Sequence, residues 1–316
     1  MSVGQVRVAV VGTGEIGRGW ASLCTAAGWP VTVFDSQAEA LEAAPAEIAG
    51  RARALVALGR ADEAAAESGI AGLTVGRSLL QACSEAQWII ESIGEDLVAK
   101  QKLLEAFESV APRARAITSS TQTCATADLV ARCRRPDRVL VAHPMRPVEL
   151  MSLVELVPGP QTDTALLEVV KGWLRALNRI PVTIRKPVRG SVAGRIAAAV
   201  WREAIDLVLK GVIDVDDLDR AVSVGPALGW AAAGPHLTHL LAAGEQNVAA
   251  YLQVVLHAHE SYWTDLASWS ALEPQEQHRL IHAIEQAYQG QVEQIRQARN
   301  RRLAAMLRAL EEARTS

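Results

Sequence analysis

Residues 138–157, RVLVAHPMRPVELMSLVELV, set a histidine and a single acid among apolar residues. His143 closes one apolar run, a Pro-Met-Arg-Pro turn follows, and Glu155 stands between Val154 and Leu156 in the next run. In strand periodicity Glu155 shares a face with Leu153 and Val157. A carboxylate buried there without a partner is costly, so it must find one or raise its pKa. A His–Glu pair would fix the imidazole tautomer and stabilise imidazolium, which suits a general acid/base near neutral pH. A satisfied core histidine beside an edge-strand glutamate explains the same residues equally well.

A second constellation bears on that choice. Gly12, Gly14 and Gly17 form GxGxxG, with Glu15 and Ile16 inside it, directly after the apolar run VRVAVV and before the helical pattern WASLCTAAGW. The first glycine permits a tight turn, the second lets backbone approach a pyrophosphate, and the third lets helix and strand pack closely. The helix N-terminus adds amide donors and a favourable dipole for phosphate. Asp35 follows 18 residues after Gly17 at the end of VTVFD, where a carboxylate accepts ribose hydroxyls and repels a 2′-phosphate. The pattern predicts dinucleotide binding, with NAD favoured over NADP. In such a site a His–Glu base would take an alcohol proton while hydride leaves for the nicotinamide.

These residues need a scaffold. Strands are expected at 6–11, 31–35, 88–92, 116–120, 138–143, 153–157 and 181–185. A pair of amphipathic helices is expected over about 37–70, and LLEVVKGWLRALN reads as a further helix. Strands alternating with helices predict a doubly wound, mostly parallel Rossmann-type sheet. After KPVRG the patterns turn helical, and 274–313 reads as helix throughout. The expected division is therefore an NAD-binding domain over 1–187 and a helical domain over 188–316.

Bulk properties narrow the function. The chain has 316 residues, half of them hydrophobic, and a formal net charge of −3, which gives no general reason to bind nucleic acid or acidic membrane. No run approaches the length of a membrane span, and the N-terminus lacks the apolar core of a signal peptide. Cys24, Cys83, Cys124 and Cys133 are scattered without CxxC spacing, as expected of a cytoplasmic protein. No metal site is expected, since His236 and His239 lack an evident third ligand. Trp201, Trp230, Trp263 and Trp269 read as packing or cleft-lining residues, although clustered indoles can also bind a quaternary ammonium.

The ordered segments GTGEIG, VFD, IIESIGEDLVAKQKLL, SSTQT, HPMRPVELMSLVELV and GSVAGRIAAAVWREA resemble the L-3-hydroxyacyl-CoA dehydrogenase superfamily over nearly the whole chain. VAHPMRP, LVELVPGPQT and GPALGWAAAGP look most like its branch acting on free hydroxy acids, which holds L-carnitine dehydrogenase, L-gulonate 3-dehydrogenase and the λ-crystallins. The resemblance implies NAD as cofactor, a small-molecule substrate, a His143–Glu155 dyad and cofactor contacts at Glu95 and Lys100. It also implies a helical C-terminal domain that forms a homodimer and closes one wall of the cleft.

Three positions depart from the family pattern. Gln122 replaces the serine ending its S-[NS]-T-S motif, Gly194 replaces an asparagine, and Arg146 replaces the asparagine of H-x-x-N-P. Gln122 is then expected near both cofactor and substrate, with Arg146 and Gly194 on the substrate side. Arg146 can pair with a carboxylate, phosphonate or sulfonate, or else contact the cofactor or its partner strand. Residues 1–99 contain no lysine, which speaks against a CoA nucleotide. The expected activity is NAD-dependent interconversion of a small, anionic 3-hydroxy acid and its 3-oxo form. The competing readings are a 3-hydroxyacyl-CoA dehydrogenase and a crystallin-like NAD-binding protein without turnover.

Overall fold

The computed structural model describes residues 4–244 and 248–315. The strands are β1 (Val8–Val11), β2 (Val31–Phe34), β3 (Thr74–Val75), β4 (Trp88–Glu91), β5 (Ala116–Ser119), β6 (Val139–Pro144), β7 (Leu153–Pro158) and β8 (Ile180–Thr183). Between them lie α1 (Glu15–Ala26), α2 (Ala38–Ala57), α3 (Glu63–Ala71), α4 (Leu79–Cys83), α5 (Leu97–Val110), α6 (Thr126–Leu129) and α7 (Thr164–Ala176). They build one sheet of order β3-β2-β1-β4-β5-β6-β7-β8. All neighbouring pairs are parallel except β6–β7. The expected doubly wound sheet is present. Its first six strands follow the order in which a dinucleotide lies across the β1/β4 switch point.

Central strands such as VAVV and WIIE are buried at every position, Glu91 included, because both faces of the sheet are covered. One face packs Val8, Val10, Trp88 and Leu156 against residues of α1, α2 and α7. Trp88 lies 5.9 Å from Trp20 and 5.5 Å from Trp173 between ring centroids, so indoles fill much of this layer. The opposite face packs Ile89, Ile117 and Val141 against Leu104 and Phe107 of α5 and Leu129 of α6. Strand β3 has only two residues, both exposed, and is too short to produce a readable pattern.

This topology collects the residues of interest. Strands β1, β2, β4, β5 and β6 run in one direction, so Gly12, Asp35, Ser92, Ser120 and His143 come to one edge of the sheet. Strand β7 runs back, which returns Glu155, near its start, to that same edge. Across the β6–β7 pair His143 and Glu155 are direct register partners.

The chain divides into two compact units after Arg195. Helix α8 (Val192–Leu209) begins in the first and continues into the second. The second unit goes on with α9 (Val215–Val224), α10 (Pro226–Ala233), α11 (Pro235–Ala243), α12 (Val248–Trp263), α13 (Pro274–Tyr288) and α14 (Val292–Thr315), and contains no strand among the described residues. The expected continuous helix over 274–313 is instead two helices, broken at 289–291 where Gly290 takes φ +74°. A capping box between Glu273 and Glu276, with Pro274 at the first turn, starts α13. Tyr288 Oη donates to Asp219 Oδ2 at 2.6 Å, tying α13 to α9.

Candidate active site

The three glycines of the turn differ in what surrounds them. Gly12 has φ +98°, and a Cβ there would lie 2.5 Å from the carbonyl carbon and oxygen of Ser92. At Gly17 a Cβ would sit 1.8 Å from the Gly12 oxygen. Around Gly14, by contrast, a Cβ would meet nothing within 4 Å. The first and third glycines are therefore obligatory for the strand–turn–helix packing, and the second leaves open room beside the backbone. Gly14 is the N-cap of α1 and provides no side-chain cap, so the first-turn amides remain available to an anion. Ile16 packs against the core at this turn. Glu15 points outward, and both its carboxylate oxygens accept from Arg51, at 2.9 and 2.6 Å.

Asp35 stands just past β2, beside this turn. Its Oδ2 accepts from the Thr13 amide at 2.6 Å and the Thr13 hydroxyl at 3.0 Å, and its Oδ1 from the Gln37 amide at 2.9 Å. Burial alone would raise this carboxyl, but the Thr13, Gln37 and Ser36 donors outweigh it and hold the group below the ordinary aspartate value.

Glu95 lies across the switch point after β4. Its Oε1 accepts from the Gln122 amide at 2.9 Å, and its Oε2 from the hydroxyls of Thr121 (2.5 Å) and Thr123 (3.2 Å). Burial opposes ionisation, yet these donors and the charge of Lys100 hold Glu95 below the usual carboxylate range. Lys100 itself lies inside the wall. It is 1% exposed, and its Nζ donates to Glu91 Oε1 at 2.7 Å and to the Ile93 oxygen at 3.0 Å. Glu91 is wholly buried and also accepts from the Ile93 amide and the Ser119 hydroxyl. This buried pair braces the loops after β4 and β5.

The structure brings His143, Glu155, Gln122 and Gly194 into one neighbourhood. His143 Nδ1 lies 3.1 Å from the carbonyl oxygen of Ser120. A carbonyl only accepts, so Nδ1 carries the proton and Nε2 of the neutral ring holds the free lone pair. Glu155, 2% exposed, takes the Val192 and Ala193 amides on Oε1 at 3.0 and 2.9 Å, while Oε2 is buried without a hydrogen bond. The partner that lets an acid sit in an apolar strand is thus the first turn of α8, whose dipole also favours a negative charge. Gly190 and Ser191 are both left-handed, with φ +83° and +58°, and turn the chain into that helix. Gln122 Nε2 donates to the Gly190 oxygen at 3.2 Å. A Cβ on residue 194 would lie 2.5 Å from that nitrogen, so the glutamine amide occupies the space that a side chain there would need.

Arg146 is exposed and precedes Pro147 through a cis peptide. The Arg51 hydrogen bonds hold the Glu15 carboxyl below its ordinary value against some burial, and the charges of Arg51, Arg18 and Arg146 add to this. Sequence reasoning missed Ser120, Glu91 and the 190–193 turn. Ser120 acts through its main chain, which leaves no signal in residue type. Glu91 showed only as an acid ending the strand WIIE, in the same buried position as Glu155.

Residues 7–187 match the family described as 3-hydroxyacyl-CoA dehydrogenase, NAD binding domain. The chain belongs to this family. As a member of it, the protein is an NAD-dependent dehydrogenase, and the open space beside Gly14 and its uncapped helix fit that cofactor. The chain is 36% identical over 260 residues to an L-carnitine dehydrogenase of Streptomyces griseus, covering 82% of this chain and 76% of that protein. It is 32% identical over 306 residues to an L-carnitine dehydrogenase of Bacillus cereus, covering 96% and 92%. Among solved structures, 5-formyl-3-hydroxy-2-methylpyridine 4-carboxylic acid 5-dehydrogenase, described as an NAD+ dependent dismutase, superposes with a TM-score of 0.80. The match has 25% identity and covers 97% of this chain and 99% of that one. Among the described residues no helix is long and apolar enough to cross a membrane, and no group of His, Cys, Asp or Glu could hold a metal.

The position of Asp35 carries a prediction. Asp35→Ser should narrow the preference for NAD over NADP by about tenfold or more, since it removes one charge that would face a 2′-phosphate. The two dissociation constants, measured by fluorescence titration, check this. Equal affinities for NAD and NADP in the wild type would remove Asp35 from the cofactor site.

Proposed function

We propose that this protein interconverts a small 3-hydroxy acid bearing a carboxylate, as L-carnitine does, and its 3-oxo form, with His143 as the acid/base. The observation that supports this most is the direct cross-strand pairing of His143 with Glu155 at the sheet edge that carries the GxGxxG turn. His143 Nε2, with its free lone pair, receives the hydroxyl proton. The Glu155 carboxylate beside it stabilises the imidazolium that results. NAD supplies the hydride acceptor. The turn at Gly12–Gly17 and Asp35 hold the dinucleotide. Glu95 serves the same site by fixing the 121–123 loop, and Lys100 by bracing the loops beneath it. In the reverse direction His143 returns the proton to the oxygen of the 3-oxo acid.

Gln122 addresses the substrate. One amide hydrogen is held by Gly190, and the other hydrogen and the carbonyl oxygen remain for a polar group. Gly194→Asn should therefore lower kcat/KM by about tenfold, because the new side chain displaces the Gln122 amide. Adding Gln122→Ser should recover part of that loss by removing the collision. Steady-state kinetics of both single variants and the double variant measure the coupling. Strictly additive losses would mean that the two positions do not share one space. Arg146 supplies positive charge for the cofactor or for an anionic substrate.

The family also contains CoA-ester enzymes, so the deciding experiment compares kcat/KM for free L-3-hydroxy acids, carnitine included, with that for 3-hydroxybutyryl-CoA. The proposal expects the free acids to be preferred. A preference for the CoA ester would establish the other reading, and tight NAD binding without any turnover would make the protein a non-catalytic relative.

A homodimer built by the second unit is part of the proposal, as is a cytoplasmic location consistent with four free cysteines. Ile196, Trp201, Leu241 and Val254 are each more than half exposed, an unusual apolar load for a surface. Light scattering at micromolar concentration should give twice the mass of the 316-residue chain. A monomer would refute the assembly.

A further inference from the structure

We propose that Ser120 is the positioning residue that sets the tautomer of His143, and that it is itself held by Ser92 and by Trp20 of the helix that follows the glycine turn. This deepens the reading of His143 as the base and rests on it. That reading needs more than an imidazole in place. In the neutral ring only one nitrogen can take a proton, and an imidazole with Nε2 protonated would offer a substrate hydroxyl a donor where an acceptor is required. A dyad would assign the choice to Glu155, but the hydrogen bonds of Glu155 run from the Val192 and Ala193 amides to Oε1, and its buried Oε2 accepts none, from His143 or any other donor. The hydrogen bond that His143 Nδ1 makes runs instead to the Ser120 carbonyl, at 3.1 Å.

That carbonyl is not free to turn. The Ser120 amide donates to the Glu91 oxygen at 2.9 Å. The Ser120 hydroxyl oxygen accepts from Trp20 Nε1 at 3.2 Å and shares a hydrogen bond with the Ser92 hydroxyl at 2.9 Å. Trp20 is wholly buried and Ser120 is 4% exposed, so water offers little competition for these bonds. An indole N–H can only donate, which fixes the direction of the Trp20–Ser120 bond. Ser92 is also the residue against which Gly12 closes, and its Cβ would lie 3.4 Å from a Cβ on Gly17. A continuous contact path therefore runs from the floor of the dinucleotide turn, through Ser92 and Ser120, to the ring of the base.

The test labels histidine with 15N in the full-length protein with NAD bound, and reads the side-chain nitrogens by NMR above the His143 pKa. A His143→Gln spectrum identifies the His143 signals among the seven histidines. Wild type should show a protonated Nδ1 and an unprotonated Nε2. Ser120→Ala keeps the carbonyl but releases it from Trp20 and Ser92, so it should give averaged shifts from mixed tautomers, with kcat about threefold to tenfold lower, the scale of one neutral hydrogen bond. NAD affinity should stay within about twofold of wild type, because Ser120 reaches the base and not the dinucleotide. Trp20→Phe removes the N–H donor, together with one ring of the indole, and keeps the Ser120 hydroxyl, so it should reproduce the change if Ser120→Ala fails to fold. A wild-type tautomer in both variants overturns the proposal, even if kcat falls, since Ser120 would then be merely structural. Failure of the functional reading looks different: full turnover in His143→Ala would end it, while the nitrogen spectra would still report what holds the ring.

Discussion

Replacing His143 with alanine should lower kcat by at least about 100-fold, the lower bound for a general acid/base, and leave NAD affinity nearly intact. The asymmetry follows from the geometry. His143 lies at the end of β6 beside Glu155, whereas the glycine turn and Asp35 belong to β1 and β2. Glu155→Gln should lose activity in the same direction, since an amide keeps the shape but not the charge that steadies imidazolium. Stopped-flow or steady-state turnover together with an NAD titration separates the two effects. Wild-type turnover in His143→Ala would exclude the histidine as the base.

The second large effect concerns stability. Lys100→Met should destabilise the protein by about 3–5 kcal/mol, because it strands the Glu91 charge in a site that excludes water. Glu91 is 0% exposed and would keep only the Ile93 amide and the Ser119 hydroxyl. Combining it with Glu91→Gln should restore much of the loss, since a neutral amide can be satisfied without a cation. Denaturant titration of the single and double variants measures this. If Lys100→Met is as stable as wild type, the ion pair does not brace these loops. If stability holds but NAD affinity falls sharply, Lys100 touches the cofactor directly.

How much of this was legible in the sequence depends on the scale of each signal. The seven longer strands, the two helices over 38–57 and 63–71 and the wholly helical second unit all announce themselves through apolar periodicity. The glycine turn was legible from its spacing after a strand, and the steric demand behind it falls on Gly12 and Gly17. Asp35, His143 and Glu155 stood out as candidates because a polar residue there ends or interrupts an apolar run. What lay beyond reach were contacts made by main chain or across long separations. The Ser120 carbonyl, the Val192 and Ala193 amides and the Gly190 carbonyl carry no trace in residue type. Lys100 was expected at the cofactor, and only folding shows it turned inward to Glu91, nine residues away. The steric exchange between Gln122 and Gly194 spans 72 positions, and from the sequence it could be framed only as a missing side chain opposite a longer one.

The central claim is that hydride leaves carbon 3 of a free 3-hydroxy acid for NAD on a base provided by His143. L-carnitine and related L-3-hydroxy acids, deuterated at carbon 3, should be offered to the purified protein with NAD, and the reduced cofactor analysed by mass spectrometry. At least one of these acids should give reduced cofactor carrying one deuterium, and His143→Ala should suppress its formation. Unlabelled reduced cofactor, or none from any of these acids, would contradict the claim.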